Sequence, residues 1–204
     1  MISRMNSSQS PSLPARVSRG GVLRSRDLER LGVSRTSVGA LLESGDLLRV
    51  ARGVYVPADH ELTEKHSLAV ACARVPHGII CLLSALAFHG LTVQNPSSVW
   101  MAIAPSARKP APSMPPIRIA RFSGPALISG VEIHRTEGVR IRVYSVAKTV
   151  ADLFKYRNKI GTDVAVEALR ETLRTRRASI HEIVRAAKIC RVSRVMKPYL
   201  EAIQ

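Results

Sequence analysis

Three residues at the start of one predicted helix carry side chains suited to reading a nucleic acid. Arg35, Thr36 and Ser37 follow Ser34, a residue type that commonly caps helices, and together these residues offer one guanidinium and three hydroxyl groups. An arginine can make a bidentate contact to guanine, and hydroxyls hydrogen-bond to base edges or phosphates. The N-terminus of a helix also favours a bound phosphate. The pattern predicts a DNA-binding helix start, with Arg35, Thr36 and Ser37 as the base-reading side chains.

Arginines on both sides of this helix could hold the sugar-phosphate backbone. They flank the preceding helix or lie in the hairpin that follows: Arg24, Arg26, Arg49 and Arg52. Arg52 is near the predicted tip of the hairpin, where a wing can touch the backbone or the minor groove. Phosphate contacts position a protein on a duplex, while base contacts specify the sequence. These four arginines are therefore predicted to position the protein.

A second group of residues suggests catalysis by residue type, but its spacing favours structural roles. The group comprises Ser84, His89, Lys148, Thr149 and Asp152. Ser84 and His89 are five residues apart on one apolar helix and do not share a face, which favours a core-facing hydroxyl and a helix-end imidazole. Lys148 and Asp152 are four residues apart, the spacing of a helix-surface ion pair worth roughly 0.2–0.5 kcal/mol. We expect no catalytic residue in this group, and a role in a motif of the second domain stays open.

The remaining chemistry-bearing residues do not suggest a metal or cofactor site. The histidines and cysteines lack zinc-type spacing, no P-loop or GxGxxG motif occurs, and Glu132 is the only acid that the predicted strands offer. A two-metal nuclease needs clustered carboxylates. The sequence therefore predicts no metal, no cofactor and no enzyme. The three cysteines are predicted to be buried reduced thiols: Cys72, Cys81 and Cys190.

The elements that position the first group form a predicted winged helix-turn-helix over residues 25–57. Ser25 is predicted to cap the first helix, and Gly32 fits the left-handed position after its end. Ser34 caps the second helix, and Gly45 ends it. Two helices joined by so short a turn, followed by a hairpin, are typical of this DNA-binding motif.

The periodicity of the second helix predicts which side faces outward. Val38, Leu41 and Leu42 recur at i, i+3 and i+4 and form an apolar stripe. At about 100° per residue, the opposite face carries Thr36, Gly39, Ala40 and Glu43. Short strands are predicted over residues 47–50 and 53–56, and they form the wing. Of the outward residues, only the acidic Glu43 weighs against DNA binding.

A second region with mixed helices and strands is predicted after the wing. Helices are expected over residues 63–75 and 79–89, strands over residues 99–103, 117–122, 131–135 and 139–143, and a proline-rich loop over residues 105–116. The last two strands are predicted to form a hairpin with a three-residue loop at residues 136–138. In that register the apolar pairs are Val131–Val143 and Ile133–Ile141, and they share one sheet face.

The last third of the chain is predicted to be helical. Ser145 and Thr162 open two helices, and Ser179 begins a capping box that opens a third. Because proline cannot continue a helix interior without cost, a break is expected near Lys197, with Pro198 in the first turn of the final helix.

Length and charge are compatible with two compact domains and a polyanion-binding surface. The chain has 204 residues and a formal net charge of +16, which favours nucleic acid. An arginine-rich proteome is the other explanation of that charge.

We expect a flexible leader at residues 1–14, a winged helix at residues 15–60 with a short first helix at residues 15–19, and an α+β domain at residues 61–204. No apolar run approaches the roughly 20 residues of a membrane span and no signal peptide is present, so we expect a cytoplasmic protein.

Three motifs in a fixed order resemble one protein family. Residues 23–57 read LRSRDLERLGVSRTSVGALLESGDLLRVARGVYVP, residues 84–91 read SALAFHGL, and residues 145–153 read SVAKTVADL. Together they resemble the AbiEi-type antitoxins of type IV toxin–antitoxin and abortive-infection systems. The chain departs from the family pattern at Val146 and Ala147, where family members often have Pro and Glu.

The resemblance implies a winged-helix transcriptional repressor that is also an antitoxin in phage defence. It implies binding to duplex DNA at repeats in the promoter of its own operon. It also implies a nucleotidyltransferase-like toxin, which the antitoxin counters without a stable complex. Two alternatives stay open. One is a nucleic-acid-processing enzyme, whose metal-dependent turnover would require Glu132 or Asp152. The other is a basic RNA- or ribosome-binding protein, for which RNA would compete with the promoter duplex at physiological salt.

Overall fold

The computed structural model describes residue 17, residues 21–112 and residues 114–203. Over the last two ranges the fold is mixed α/β, as predicted, with ten helices and two sheets. The helices are α1 (Ser25–Arg30), α2 (Arg35–Glu43), α3 (His66–Arg74), α4 (Leu82–Phe88), α5 (Pro125–Ile128), α6 (Val146–Lys155), α7 (Arg157–Ile160), α8 (Thr162–Arg174), α9 (Ile180–Cys190) and α10 (Ser193–Glu201). The strands are β1 (Leu23–Arg24), β2 (Leu47–Ala51), β3 (Val54–Pro57), β4 (Ile79–Ile80), β5 (Val99–Ile103), β6 (Ile117–Arg121), β7 (Val131–Thr136) and β8 (Val139–Tyr144). The predicted leader and most of the helix predicted at residues 15–19 lie outside the described residues, although Val17 is helical and buried.

The first sheet has three antiparallel strands in the order β1–β3–β2. β2 and β3 form the predicted wing, and Gly53 at its turn adopts a φ of 70°, a conformation that favours glycine. β1 pairs with Val54 and Tyr55 of β3. The sequence pattern does not predict β1, because two residues are too few to show an alternation of apolar side chains.

The starts of α1 and α2 are held in different ways. Ser34 caps α2 as predicted, since its Oγ accepts a hydrogen bond from the Ser37 backbone N–H at 3.0 Å. The prediction that Ser25 caps α1 is wrong, because Ser25 lies inside the helix and Arg24 precedes it. The carboxylate of Asp27 accepts a hydrogen bond from the Arg24 backbone N–H at 3.1 Å. An acid in the first turn therefore replaces the expected serine cap.

Each face of the first sheet contributes side chains to a core, although Leu48 and Arg49 of β2 are exposed. The core on the α1–α2 side contains Val17, Leu23, Leu28, Val33, Leu41 and Leu47. Val54 and Val56 point to the other side, into a core that they share with α3, β4, β5 and β8. The winged helix is therefore packed against the rest of the chain through its own sheet. The boundary at residue 60 stays a prediction.

The second sheet has five strands in the order β6–β5–β4–β8–β7. The pairs β4–β8 and β5–β6 are parallel, and β4–β5 and β7–β8 are antiparallel. The prediction of one helix over residues 79–89 is wrong at its start, because Ile79 and Ile80 form the central strand β4. A strand buried on both faces shows no polar alternation, so a short apolar run cannot be told from a helix by pattern.

β7 and β8 form the predicted hairpin in a different register. Glu137 and Gly138, with φ values of 49° and 76°, make a two-residue turn in place of the predicted three-residue loop. Every facing pair is consequently shifted by one residue. Ile133 pairs with Arg142 and not with Ile141, and its side chain is 56% exposed.

Glu137 explains this register, because its side chain has partners far away in sequence. Its carboxylate accepts hydrogen bonds from the Thr63 hydroxyl at 2.6 Å and the Thr63 backbone N–H at 3.0 Å. Ring nitrogens of His60 and His66 lie 3.1 and 2.7 Å from its Oε2, and the Val22 N–H donates to its backbone carbonyl at 2.9 Å. Burial opposes ionisation, yet these hydrogen bonds lower the pKa of Glu137 to about 2. The turn is thus fixed by contacts with the segment that follows the wing.

The C-terminal third is helical as predicted, apart from the position of its last break. Ser145 and Ser179 cap α6 and α9. The prediction of a break near Lys197 is wrong: the chain turns at Arg191, which is left-handed, and α10 contains Pro198 in its interior. α10 tolerates the missing N–H because its apolar side, with Met196, packs into a core that it shares with α6 and α9.

The helices are short. The longest in the described part of the chain is α8, with 13 residues. None of the described helices is long and apolar enough to cross a bilayer.

We expect Glu137→Gln to destabilise the protein by about 2 kcal/mol at pH 7, because an amide replaces a carboxylate whose charged form folding favours. Folding lowers the pKa from its ordinary value of 4.5 to about 2, so the stabilisation is complete above pH 4.5. The stabilisation is lost as the pH falls from 4.5 through the lowered pKa that Glu137 has in the folded state. Urea titrations at pH 7, 5 and 3 should show the gap between wild type and variant shrinking on acidification. A gap that does not change with pH would contradict this role of the carboxylate.

Candidate nucleic-acid interface

The first turn of α2 lies in solvent, as base reading requires. The Arg35 side chain is 94% exposed, and Thr36 is also exposed. On the other side of the helix Leu41 is buried, and Val38 and Leu42 pack at the edge of the same small core. These contacts confirm the predicted apolar stripe. They also orient the start of α2 outward.

The hydroxyls of Ser34 and Ser37 are engaged with one another. Their Oγ atoms are 2.8 Å apart, in addition to the capping bond from the Ser37 backbone. The Thr36 hydroxyl has no hydrogen-bond partner in the part of the chain that the structure describes. The helix start therefore contains a capping pair and two outward groups, which are the side chains of Arg35 and Thr36.

A groove of about 330 Å³ runs beside α2. It is lined by Ser25, Glu29, Val33, Arg35, Val38 and Tyr55. Arg35 Nε lies 3.5 Å from Glu29 Oε1, and both side chains are exposed. Such a surface pair is weak and is screened by salt. Arg35 can therefore exchange Glu29 for a phosphate or a base at small cost.

The four arginines predicted to hold phosphates are not equivalent. The Asp27 carboxylate binds Arg24 twice, at 2.7 Å to Nε and 3.1 Å to Nη2. Burial would raise the pKa of Asp27, but the hydrogen bonds and charge of Arg24 lower it. This ion pair makes Arg24 less available to a phosphate than the other three arginines, and its role as a phosphate clamp stays a prediction. Arg26, Arg49 and Arg52 are exposed and have no ion-pair partner among the described residues.

The turn of the wing lies beside the start of α1. The Ser25 backbone N–H donates to the Gly53 carbonyl at 3.1 Å. Arg26 and Arg52, the sequence neighbours of these residues, therefore lie on one edge of the molecule. Arg49 lies on the face of the sheet that packs against α1 and α2. The three unpaired arginines thus lie in α1, at the turn of the wing and in the first sheet.

The second group of residues lies in the core, where Ser84 is separate, His89 and Thr149 share one partner, and Lys148 pairs with Asp152. Ser84 Oγ accepts a hydrogen bond from the Trp100 N–H at 2.9 Å. His89 Nε2 and Thr149 Oγ1 both donate to the Tyr144 carbonyl, at 2.7 and 3.3 Å. Burial lowers the pKa of His89, although its bond to Tyr144 opposes that shift. These positions match a core-facing hydroxyl and a helix-end imidazole.

Lys148 and Asp152 form a buried ion pair, and the predicted surface pair is wrong. Nζ lies 2.7 and 2.6 Å from the two carboxylate oxygens, and the side chains are 2% and 3% exposed. The ammonium also lies over the ring of Tyr144, at 4.0 Å from its centroid. α6 is covered by α4, α8 and α9, which brings this polar pair into the core. Burial raises the pKa of Asp152, while the charge of Lys148 lowers it.

The arrangement of α1, α2 and the wing is that of a winged helix-turn-helix. Residues 13–58 match the family model for the transcriptional regulator AbiEi antitoxin. This match confirms the predicted resemblance to AbiEi-type antitoxins, and it covers the first of the three motifs. The family description names a transcriptional regulator and antitoxin, which is not an enzyme class. The rest of the chain lies outside the match, and no curated protein matches the chain.

We expect Lys148→Met to destabilise the protein by about 3–5 kcal/mol, because it leaves the Asp152 carboxylate uncompensated in the core. The double variant Lys148→Met/Asp152→Leu removes both charges and should recover most of that loss. Denaturant titrations measure both effects. Lys197→Met, which removes an exposed lysine 3.6 Å from Glu201, is the matched control and should cost less than about 1 kcal/mol. A Lys148→Met variant as stable as wild type would disprove the buried pair.

Proposed function

We propose that this protein represses its own operon by binding promoter repeats, and that it is the antitoxin of a type IV toxin–antitoxin system. The proposal of DNA binding rests on one observation: the first turn of α2 is exposed, and the aliphatic stripe on the other side of the helix is buried. The match of the N-terminal segment to AbiEi regulators supports the same conclusion. We place the protein in the cytoplasm, where it has access to its operon.

We propose that α2 enters the major groove. In a helix-turn-helix, the N-terminal residues of the second helix meet base edges. Arg35 and Thr36 occupy this position, and neither is held by a strong intramolecular contact. A Cβ placed on Gly39 would meet no atom within 4 Å, so this side of the helix is open to close approach.

Three arginines are proposed to hold the phosphates on either side of that groove. Arg26 and Arg52 would act from the edge where the wing meets α1, and Arg49 from the sheet. Arg24 is assigned to supporting α1 through Asp27. Because each phosphate contact releases counterions, affinity for DNA should fall as salt rises.

Residues 61–204 are proposed as the antitoxin domain, which counters a nucleotidyltransferase-like toxin without a stable complex. Two motifs of the resemblance meet inside this region, because His89 and Thr149 bind the same carbonyl of Tyr144. The motif side chains hold the end of β8 in place. We therefore attribute antitoxicity to the folded region that they maintain and not to their direct contact with a partner.

A duplex carrying repeats of the protein's own promoter tests DNA binding. Arg35→Ala/Thr36→Ala should reduce discrimination between this duplex and a random one by roughly tenfold or more, since a good base contact is worth about 1–3 kcal/mol. Arg52→Ala should weaken binding to both duplexes about equally. It should also reduce the slope of log affinity against log salt by about one. Fluorescence anisotropy at several salt concentrations measures all three quantities.

Arg170→Ala is the matched control for these variants. Arg170 is an exposed arginine of α8, so the substitution removes the same charge at a position outside the winged helix. It should leave both affinities unchanged. If the Arg35→Ala/Thr36→Ala variant still discriminates between the two duplexes as well as wild type does, the proposal that α2 reads bases is overturned. RNA that outcompetes the promoter duplex at physiological salt would favour the RNA-binding alternative.

Repression and antitoxicity should be separable. The Arg35→Ala/Thr36→Ala variant, expressed from an independent promoter together with the toxin gene of its operon, should still protect cells, because the proposed antitoxin region is intact. The same variant should fail to repress a reporter driven by the native promoter. If neither wild type nor variant restores growth, the antitoxin proposal fails, and the DNA-binding proposal is unaffected.

A further inference from the structure

A pocket of about 630 Å³ opens where the end of β6, α5, the end of α6 and the end of α9 come together. Its lining includes Arg121, Phe122, Lys155, Tyr156, Lys188 and Arg191, and we call it the cationic pocket. No residue of the winged helix lines it. Its volume is in the range of small-molecule sites, about 300–1,000 Å³.

Three cations of this pocket are available to meet an anion. Lys155, Lys188 and Arg191 come from α6, α9 and the break after α9, and all three are exposed. Their side chains have no hydrogen bond or ion pair within residues 21–112 and 114–203. Arg121 differs, because its Nη1 donates to three loop carbonyls at 2.6, 3.1 and 2.5 Å. The free positive charge therefore belongs to the other three.

The one acidic residue in the lining is compensated from inside the core. Asp152 faces Lys148 at 2.6 Å, and the Cys190 thiol donates to its carboxylate at 3.2 Å. Burial raises the pKa of Cys190 to about 12, so the thiol keeps its proton. The charge of the pocket is thus set by its cations.

An apolar wall completes the pocket. The rings of Phe122 and Tyr156 lie edge to face, with centroids 5.6 Å apart. Pro125 and Ala126 extend the same lining. The Lys148 ammonium, 4.8 Å from the Phe122 centroid, fixes that ring from the core side. The pocket therefore combines cations with an aromatic wall in which Tyr156 is half-buried and Phe122 is 7% exposed. Cations and aromatic rings together are the combination that proteins use to bind single-stranded nucleic acids.

We propose that the cationic pocket binds a nucleotide, with its phosphates at Lys155, Lys188 and Arg191 and its base against Phe122 and Tyr156. A bare phosphate would leave the aromatic wall unused, and an apolar ligand would leave three cations unpaired. A nucleotide satisfies both, whether it is free or is the terminal unit of a single-stranded RNA. This site is independent of DNA binding by α2.

Calorimetry on the full chain with ATP, pyrophosphate and a short single-stranded RNA tests the proposal. Lys155→Ala/Lys188→Ala should weaken nucleotide binding roughly tenfold or more, since two charge contacts are lost. Arg170→Ala/Arg185→Ala removes the same charge from exposed arginines of α8 and α9 outside the lining, and should leave the affinity unchanged. Ser123→Trp fills the pocket without a change of charge and should block binding.

Each result decides the question. If both pocket variants weaken the binding of ATP, the result supports a free nucleotide as the ligand. If they weaken only the binding of RNA, the result supports a nucleotide at the end of a strand. The proposal is overturned if neither probe binds, if pyrophosphate binds as tightly as ATP, or if the pocket variants behave like the arginine control. Arg35→Ala/Thr36→Ala should leave ATP binding unchanged, so that this failure can be distinguished from a failure of DNA binding.

Discussion

The burial of one side of α2 determines which of its side chains can meet a ligand. Leu41 is enclosed in the small core with the rest of its stripe, and the Ser34 cap fixes where the helix begins. Turning the helix would expose apolar surface at a cost of about 25 cal/mol per Å². Arg35 and Thr36 therefore stay outward without any rearrangement. A groove-binding surface that is already formed loses little conformational entropy on binding.

The sheet of the winged helix connects α2 to the rest of the chain, because each of its faces contributes to a different core. One face covers the small core beneath α2, and the other, with Val54 and Val56, contributes to a core built mainly from later elements. Glu137 adds a polar connection, since its carboxylate and carbonyl bind the segment after the wing and the strand before α1. The proposed DNA-binding and antitoxin regions are thus joined by both apolar and hydrogen-bonded contacts.

Local signals predicted much of the fold, and non-local contacts account for most of the errors. Ser34 and the Leu41 stripe could be read directly, because capping and periodicity involve residues within a few positions of each other. The register set by Glu137 could not, since its partners lie more than 70 residues away. The pairing of Arg24 with Asp27 is different, because these residues are only three positions apart and the contact is a local one. For the cationic pocket no local pattern exists, because its cations come from separate elements.

Hydrogen exchange measured by mass spectrometry, with and without the promoter duplex, tests the central claim most directly. The backbone N–H groups of Arg35 and Thr36 lie in the first turn of α2, where a helix provides no internal acceptor, and should exchange fast in the free protein. Slower exchange at residues 34–37 and at the wing turn on adding duplex is the expected result. Slowing confined to residues 121–126 and 188–191, with the start of α2 unchanged, would contradict DNA reading by this helix.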